Sequence, residues 1–204
     1  MRSVLTRVML GALIPAAAAA IVSAQTGARS GAAAQIAPAG TPPETFVATA
    51  QATNAGATAS ATVTIQINRY TSETDRTRIT EALRTGGYPG FLPALRRAQD
   101  VGYIEVNDKR TIVRWARQQP TEKGRTISVI TESPLLFLGG ASPNAKPREG
   151  YEVAVILFDV DTVGLGAGTM AAAARVRPGG ETGVQIDDYA DTPIKLTTVR
   201  KTYR

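Results

Sequence analysis

The chain has 204 residues and a formal net charge of +6, from 23 basic and 17 acidic residues, and it contains neither histidine nor cysteine. These absences exclude Ser-His-Asp and Cys-His catalysis, disulfide bonds, thiol redox chemistry and nearly every ordinary zinc site. Carboxylate chemistry, Ser-Lys or Thr nucleophiles, calcium binding by oxygen ligands and plain binding are the classes that stay open.

The first 24 residues have the pattern of a bacterial signal peptide. Arg2 and Arg7 precede an apolar run over 8–22, and the small residues at 22–24 predict cleavage near Ala24. The run is short and rich in alanine compared with the roughly 20 apolar residues of a membrane span. We therefore expect a periplasmic or extracellular protein with no membrane span in the mature chain.

Three segments are predicted along the chain: the signal peptide over 1–24, a flexible arm over 25–44 and a single domain over 45–204. The arm is rich in Ala, Gly, Ser, Thr and Pro, so it has too few large apolar side chains to offset the entropy lost on ordering. Loss of Arg2 and Arg7 with the signal lowers the net charge from +6 to +4. This mild excess favours solubility and weak attraction to polyanions.

The domain begins with a predicted strand pair. Residues 45–53 form a weak strand pattern, and 61–70 alternate apolar and polar side chains as a half-buried strand does. The turn sequence at 54–56 lies between them. A β-hairpin is therefore predicted at the start of the domain.

Two helices are predicted next, near residues 73–99. Ser72 and Asp75 have the spacing of a helix cap, and apolar residues at helical spacing continue to the glycine pair at 86–87. A second, shorter helix is predicted over 91–99, with Pro93 in the first turn, where a missing N–H does no harm.

Strand patterns return after residue 100. Short polar connections between them predict antiparallel neighbours. The predicted strands are 101–106, 111–117, 125–131, 151–158, 169–177 and 184–199, the last interrupted near 191–193. The sequence thus predicts an α+β fold: a mainly antiparallel sheet of about six to eight strands, with the two-helix insertion packed on one face. The alternative is a β-sandwich with peripheral helices.

A glycine run at 164–168 follows one of these strands. The dinucleotide-binding pattern G-x-G-x-x-G needs its third glycine one residue later, and no clear helix follows. The run is therefore interpreted as a hairpin or bulge. No cofactor and no metal are predicted.

Five aspartates in the C-terminal part of the chain are the acidic residues that are candidates for catalysis. Carboxylates on either side of a cleft are what a glycosidase-like enzyme requires. The calcium-loop pattern D-x-D-x-D-G is not met, because Val163 occupies its third acidic position. The weak catalytic candidates are Asp159, Asp161, Asp187, Asp188 and Asp191.

Basic residues are frequent between 96 and 125. A cluster of Lys and Arg on one sheet face is a candidate contact for an acidic polymer. The weak polyanion-binding candidates are Arg96, Arg97, Lys109, Arg110, Arg114, Arg117, Lys123 and Arg125.

Taken together, these patterns favour an exported, soluble, non-catalytic binding or assembly module of the bacterial envelope or secreted fraction, whose partner is an unidentified protein or envelope ligand. The alternatives are the carboxylate-dependent enzyme and the polyanion binder. Binding through an edge strand or an apolar sheet face is the expected mode.

Overall fold

A computed structural model provides the structure of the protein. It describes residues 40–54, 57–135, 149–179, 184–189 and 193–203. The predicted signal peptide and most of the predicted arm lie outside the described residues. The described residues all belong to one compact unit, Ala34–Arg204.

The described residues form nine strands and one helix. In chain order these are β1 (Glu44–Asn54), β2 (Ala57–Ile67), α1 (Glu73–Arg96), β3 (Gly102–Val106), β4 (Lys109–Pro120), β5 (Gly124–Thr131), β6 (Val153–Asp161), β7 (Leu165–Pro178), β8 (Val184–Asp188) and β9 (Ile194–Thr202). The segment at 169–177, where four alanines also fit a helix, is confirmed as a strand within β7.

The strands form a closed antiparallel barrel of eight members. Strands β1 to β7 pair with their chain neighbours, and β9 pairs with both β7 and β1, which closes the ring. Strand β8 lies outside the ring and pairs with the distal part of β7, from Ala174 to Pro178. The first predicted hairpin is confirmed, with Asn54 opposite Ala57.

Closure of the sheet corrects the predicted architecture. The antiparallel α+β class is confirmed, but an open sheet packed under helices and the alternative β-sandwich are both wrong. The reason is that a strand with one buried face has the same apolar alternation in an open sheet, a sandwich and a barrel. Closure depends on the register between strands that are far apart in the chain, and alternation does not encode it.

Side chains fill the interior of the barrel. Phe46 of β1 and Phe158 of β6 meet across it with ring centroids 5.1 Å apart, in an edge-to-face arrangement. Ile65, Ile104 and Ile127 come from intervening strands and are fully buried in the same core cluster. The interior of an eight-stranded barrel is in general just wide enough for side chains to fill, and side chains fill it here.

The helical region is one bent helix. The prediction of two helices near residues 73–99 is therefore wrong. Helix α1 continues through the predicted break, and its one non-helical residue is Gly87, with φ 59° and ψ −153°. The prolines at 89 and 93 fall just after this bend, where missing N–H groups interrupt few helical hydrogen bonds. Ser72 caps the start by accepting a hydrogen bond from the N–H of Asp75, as predicted.

Helix α1 packs on the outer face of the barrel. Its buried residues include Ile79, Leu83 and Leu95, and they share a second core cluster with Val153 of β6 and Val176 of β7. No helix in the described part of the chain is long and apolar enough to cross a membrane.

The glycine run at 164–168 is confirmed as a hairpin with closely approaching backbones. Gly164 has φ 84° in the turn between β6 and β7. Gly166 lies on β7 opposite Val160, and a Cβ at this position would lie 1.7 Å from the carbonyl oxygen of Asp159. Only a glycine therefore lets β6 and β7 approach this closely.

Replacement of Gly166 by alanine is expected to destabilise the barrel. The added methyl group must displace backbone atoms of β6, and overpacking of this kind costs about 1–3 kcal/mol or more. The free energy of unfolding in urea measures the effect.

Gly86→Ala is the control for this substitution. A Cβ at this exposed helical position meets nothing within 4 Å, so its stability should stay unchanged or rise by about 0.5–1 kcal/mol. Equal stability of the two variants would contradict the close approach at Gly166.

Candidate functional site

A groove of about 510 Å³ opens on the outer surface beside the bend of α1. Helix α1 contributes Tyr88, Pro89, Leu92 and Pro93. The remaining lining residues are Glu149, Gly150 and Glu152, which precede β6, and Arg175 of β7. The groove therefore has an apolar wall on the helix and charged groups on the barrel side.

The bend at Gly87 gives the groove its helical wall. Because the helix changes direction there, its last turns present Pro89 and Pro93 to the space in front of β6. Tyr88 and Leu92 are mostly buried in the outer core cluster and anchor this wall to the barrel.

Arg175 is the cation of the groove. Its guanidinium carbon lies 5.9 Å from the centre of the Tyr88 ring. Its Nε is buried and has no hydrogen-bond acceptor. The nearest acidic residue in register, Asp187 on β8, forms its ion pair with Arg177, at 2.5 Å. Arg175 thus lines the groove and has one buried, unused donor.

Tyr88 links the two sides of the groove. Its hydroxyl oxygen accepts a hydrogen bond of 3.0 Å from the backbone N–H of Glu152. Burial raises the pKa of this hydroxyl above its ordinary value. Tyr88 therefore stays neutral near pH 7 and fixes the segment before β6 against the helix.

A second polar cluster closes one end of the barrel, where β1 and β5 begin and β9 ends. The carboxylate of Glu44 accepts two hydrogen bonds from Arg125, at 2.6 and 2.8 Å. It also accepts one from Lys201 at 2.8 Å and one from the hydroxyl of Tyr70 at 2.6 Å. The side chain of Glu44 is 0% exposed and that of Arg125 is 8% exposed.

This barrel-end network keeps Glu44 ionised. Burial alone raises the pKa of its carboxyl, but the hydrogen bonds from Arg125, Lys201 and Tyr70 outweigh burial and lower the pKa to about 2. The pKa of Tyr70 is raised, by burial and by its bond to Glu44. Every charge in the network has a partner, which is the condition under which a buried ion pair is tolerated.

The residues before β1 complete the barrel-end network. The backbone N–H and carbonyl of Gly40 form hydrogen bonds of 2.8 and 2.9 Å with the side-chain amide of Gln118. The same amide oxygen accepts a bond from Arg125. Gly40 and Glu44 belong to the stretch predicted as an arm, but Gly40 lies against the barrel and Glu44 begins β1.

Two of the predicted aspartates have local structural partners near the hairpin between β6 and β7. Asp159 accepts a hydrogen bond from the hydroxyl of Thr126 at 2.5 Å. Asp161 accepts from the backbone N–H groups of Val163 and Leu165, at 3.0 and 2.8 Å, and so stabilises the turn.

The other predicted aspartates lie elsewhere. Asp188 is opposite Ala174, whereas Asp159 is opposite Ala167. Seven residues of β7 separate these positions, or about 20 Å at the usual rise of a strand. Asp187 lies beside Asp188, and Asp191 is outside the described residues. The four described aspartates therefore form two separate pairs.

The predicted basic residues are spread along the whole length of β4 and its neighbours. Arg110 pairs with Glu105 at one end of the strand. Arg114 pairs with Asp100 and Glu132, and Arg96 donates to the carbonyl of Glu132. Arg125 is buried in the barrel-end network. The structure places the others, Arg97, Lys109, Arg117 and Lys123, at exposed or half-buried positions.

Within the described ranges, no group of three or more His, Cys, Asp or Glu residues is arranged to hold a metal ion. The structure brings together two groups that were not predicted: Glu44 with Arg125, and Arg175 with Tyr88 and Glu152. Of these residues, Arg125 alone was a predicted candidate, for polyanion binding. One sequence signal exists for the first pair, because Glu44 is in phase with the buried residues Phe46, Ala48 and Ala50.

Comparison of the chain with known proteins finds no matching protein family, no matching curated protein and no matching solved structure.

The barrel-end network leads to a prediction on acid stability. Because the pKa of Glu44 is about 2 in the folded protein and 4.5 is its ordinary value, its stabilisation is complete above about pH 4.5 and is lost as the pH falls towards 2. Glu44→Gln should remove this part of the pH dependence. It should also cost about 3–5 kcal/mol at neutral pH, because Arg125 stays buried without a counter-charge.

Glu81→Gln is the matched control. Glu81 pairs with Arg84 on the exposed side of α1, and loss of such a pair costs less than about 1 kcal/mol. Urea unfolding of both variants between pH 2 and 7 makes the comparison. If the free energy of unfolding of Glu44→Gln fell with decreasing pH in parallel with that of the unmodified protein, the role of Glu44 in acid stability would be contradicted.

Proposed function

We propose that this protein is an exported, non-catalytic binding module that holds an apolar carboxylate in the groove around Arg175. The observation that carries the proposal is that Arg175 lines an open groove with an apolar wall and that its buried Nε lacks an acceptor. Buried donors in proteins almost always have a partner. An oxygen of a bound ligand would satisfy this one.

The charge of Arg175 selects the kind of acceptor. A guanidinium binds a carboxylate through strong, charge-assisted hydrogen bonds, and its planar shape allows two of them in parallel. An unsatisfied buried donor costs about 1–3 kcal/mol. A carboxylate ligand would recover that energy on binding, which a ligand without an acceptor would not.

The helix wall supports an apolar body for the ligand. Pro89, Leu92 and Pro93 line the groove opposite the charged groups. Each 100 Å² of apolar surface removed from water contributes about 2.5 kcal/mol. Concave sites with apolar walls and a few fixed polar groups are the usual form of small-molecule sites.

A role in binding also fits the environment of the other ionisable groups. A general base needs a carboxylate that can reach a substrate. Glu44 is sealed in the barrel-end network, where its pKa is lowered to about 2, while Asp159 and Asp161 hold a threonine and a turn. These roles are structural, which supports a non-catalytic function.

Export is supported by the signal-peptide pattern over 1–24. If the proposal is right, the protein recovered from bacterial cultures should begin at Gln25 and appear in the periplasmic or secreted fraction. N-terminal sequencing after cell fractionation measures both. Recovery of the full chain starting at Met1 in the cytoplasmic fraction would overturn this part of the proposal.

Arg175→Gln tests the binding proposal. The probe is 4-methylpentanoate, a carboxylate with a branched apolar body, titrated by calorimetry at pH 7. Loss of the charge-assisted bonds removes about 1.5–3 kcal/mol, so the affinity should fall about tenfold or more.

Arg177→Gln is the matched control on the same strand, because Arg177 pairs with Asp187 and does not line the groove. Its affinity for the probe should stay within about twofold of that of the unmodified protein. Equal losses in the two variants, or no binding by the unmodified protein, would contradict the assignment of Arg175.

A further inference from the structure

We infer that the groove recognises a zwitterion with an apolar body, in which Arg175 binds the carboxylate and Glu152 binds an ammonium group. This inference rests on the proposed function, because it assigns a second charged contact to the same groove. Free apolar amino acids and short apolar peptides with both ends free share this chemistry.

Glu152 is the carboxylate placed to bind the ammonium group. It is half-buried, lines the groove and is fixed there by the hydrogen bond between its backbone N–H and Tyr88. Among the described residues its carboxylate has no ion-pair partner. Glu149 also lines the groove but is exposed, so water screens its charge more strongly.

Arg175 and the backbone of Glu152 both contact Tyr88. The guanidinium of Arg175 lies 5.9 Å from the centre of the Tyr88 ring, and the hydroxyl of the same residue is bonded to the Glu152 backbone. A simple anion in this groove is attracted by Arg175 but repelled by Glu152. A simple cation is attracted by Glu152 but repelled by Arg175. A ligand that carries both charges avoids either repulsion.

The size of the groove agrees with such a ligand. A volume of about 510 Å³ falls within the range of about 300–1,000 Å³ that is typical of small-molecule sites. The wall formed by Pro89, Leu92 and Pro93 lines the same groove and would contact the apolar side chain.

The experiment compares four probes by calorimetry at pH 7: L-leucine, the dipeptide Leu-Leu, 4-methylpentanoate and 3-methylbutylamine. L-leucine or Leu-Leu should bind at least about tenfold more tightly than the acid that lacks the ammonium group, and the amine should bind most weakly. Whichever of the first two binds more tightly identifies the source of the zwitterion.

The outcomes separate the two proposals. If the acid binds as tightly as both zwitterions, the inference fails and the proposed function stands. If none of the four probes binds, both fail. If the amine binds most tightly, Arg175 does not dominate the groove and both fail.

Glu152→Gln tests the assigned residue. It should weaken binding of the preferred zwitterion about tenfold and leave binding of 4-methylpentanoate unchanged or tighter, since a repulsive charge is lost. Glu149→Gln, at the exposed rim, should change either affinity less than about threefold. A larger effect at Glu149, or equal losses for zwitterion and acid in Glu152→Gln, would overturn the assignment. Urea midpoints check that both variants fold.

Discussion

The structure depends on closure of the sheet through β9. This strand contacts β7 on one side and β1 on the other, so the two ends of the described domain are joined by a ladder of backbone hydrogen bonds. The barrel-end network reinforces this junction, because Glu44 at the start of β1 binds Lys201 near the end of β9 and Arg125 at the start of β5. One buried carboxylate thereby connects three strands that are far apart in the chain.

Closure also determines where a ligand can bind. An eight-stranded barrel leaves little interior space, and here rings such as those of Phe46 and Phe158 occupy it. The groove around Arg175 lies instead on the outer surface. Helix α1 packs there, and its bend at Gly87 changes the direction of its last turns, which stay anchored to the strands through Leu92 and Leu95. The groove is the space between this bent helix and the segment before β6. The bend at Gly87 therefore creates the concave surface.

The sequence predicted the strands well because alternation is local, and it missed the features that depend on distant pairing. The strand in β7 was recognisable from Met170, Ala172, Ala174 and Val176 despite four consecutive alanines. Closure of the barrel was not recognisable from the sequence, since it depends on the register of β9 with two other strands. The barrel-end network does leave a signal in the sequence, because Arg125 is in phase with the buried residues Ile127 and Val129, as Glu44 is with Phe46. A charge on an apolar face predicts a buried partner of opposite sign.

No such signal marks the groove, because its members come from three separate segments and their spacing follows no period. What distinguishes it is a contrast between two arginines. Arg125 is almost fully buried, and its two terminal nitrogens donate to Glu44, Tyr70 and Gln118. Arg175 is half-buried and lacks an acceptor for Nε, although Asp187 lies opposite it in register and Glu152 lines the same groove. A chain that supplies acceptors for the terminal nitrogens of one buried guanidinium has the means to supply an acceptor for a second. The open donor at Arg175 is therefore best explained by an acceptor that arrives from outside the chain.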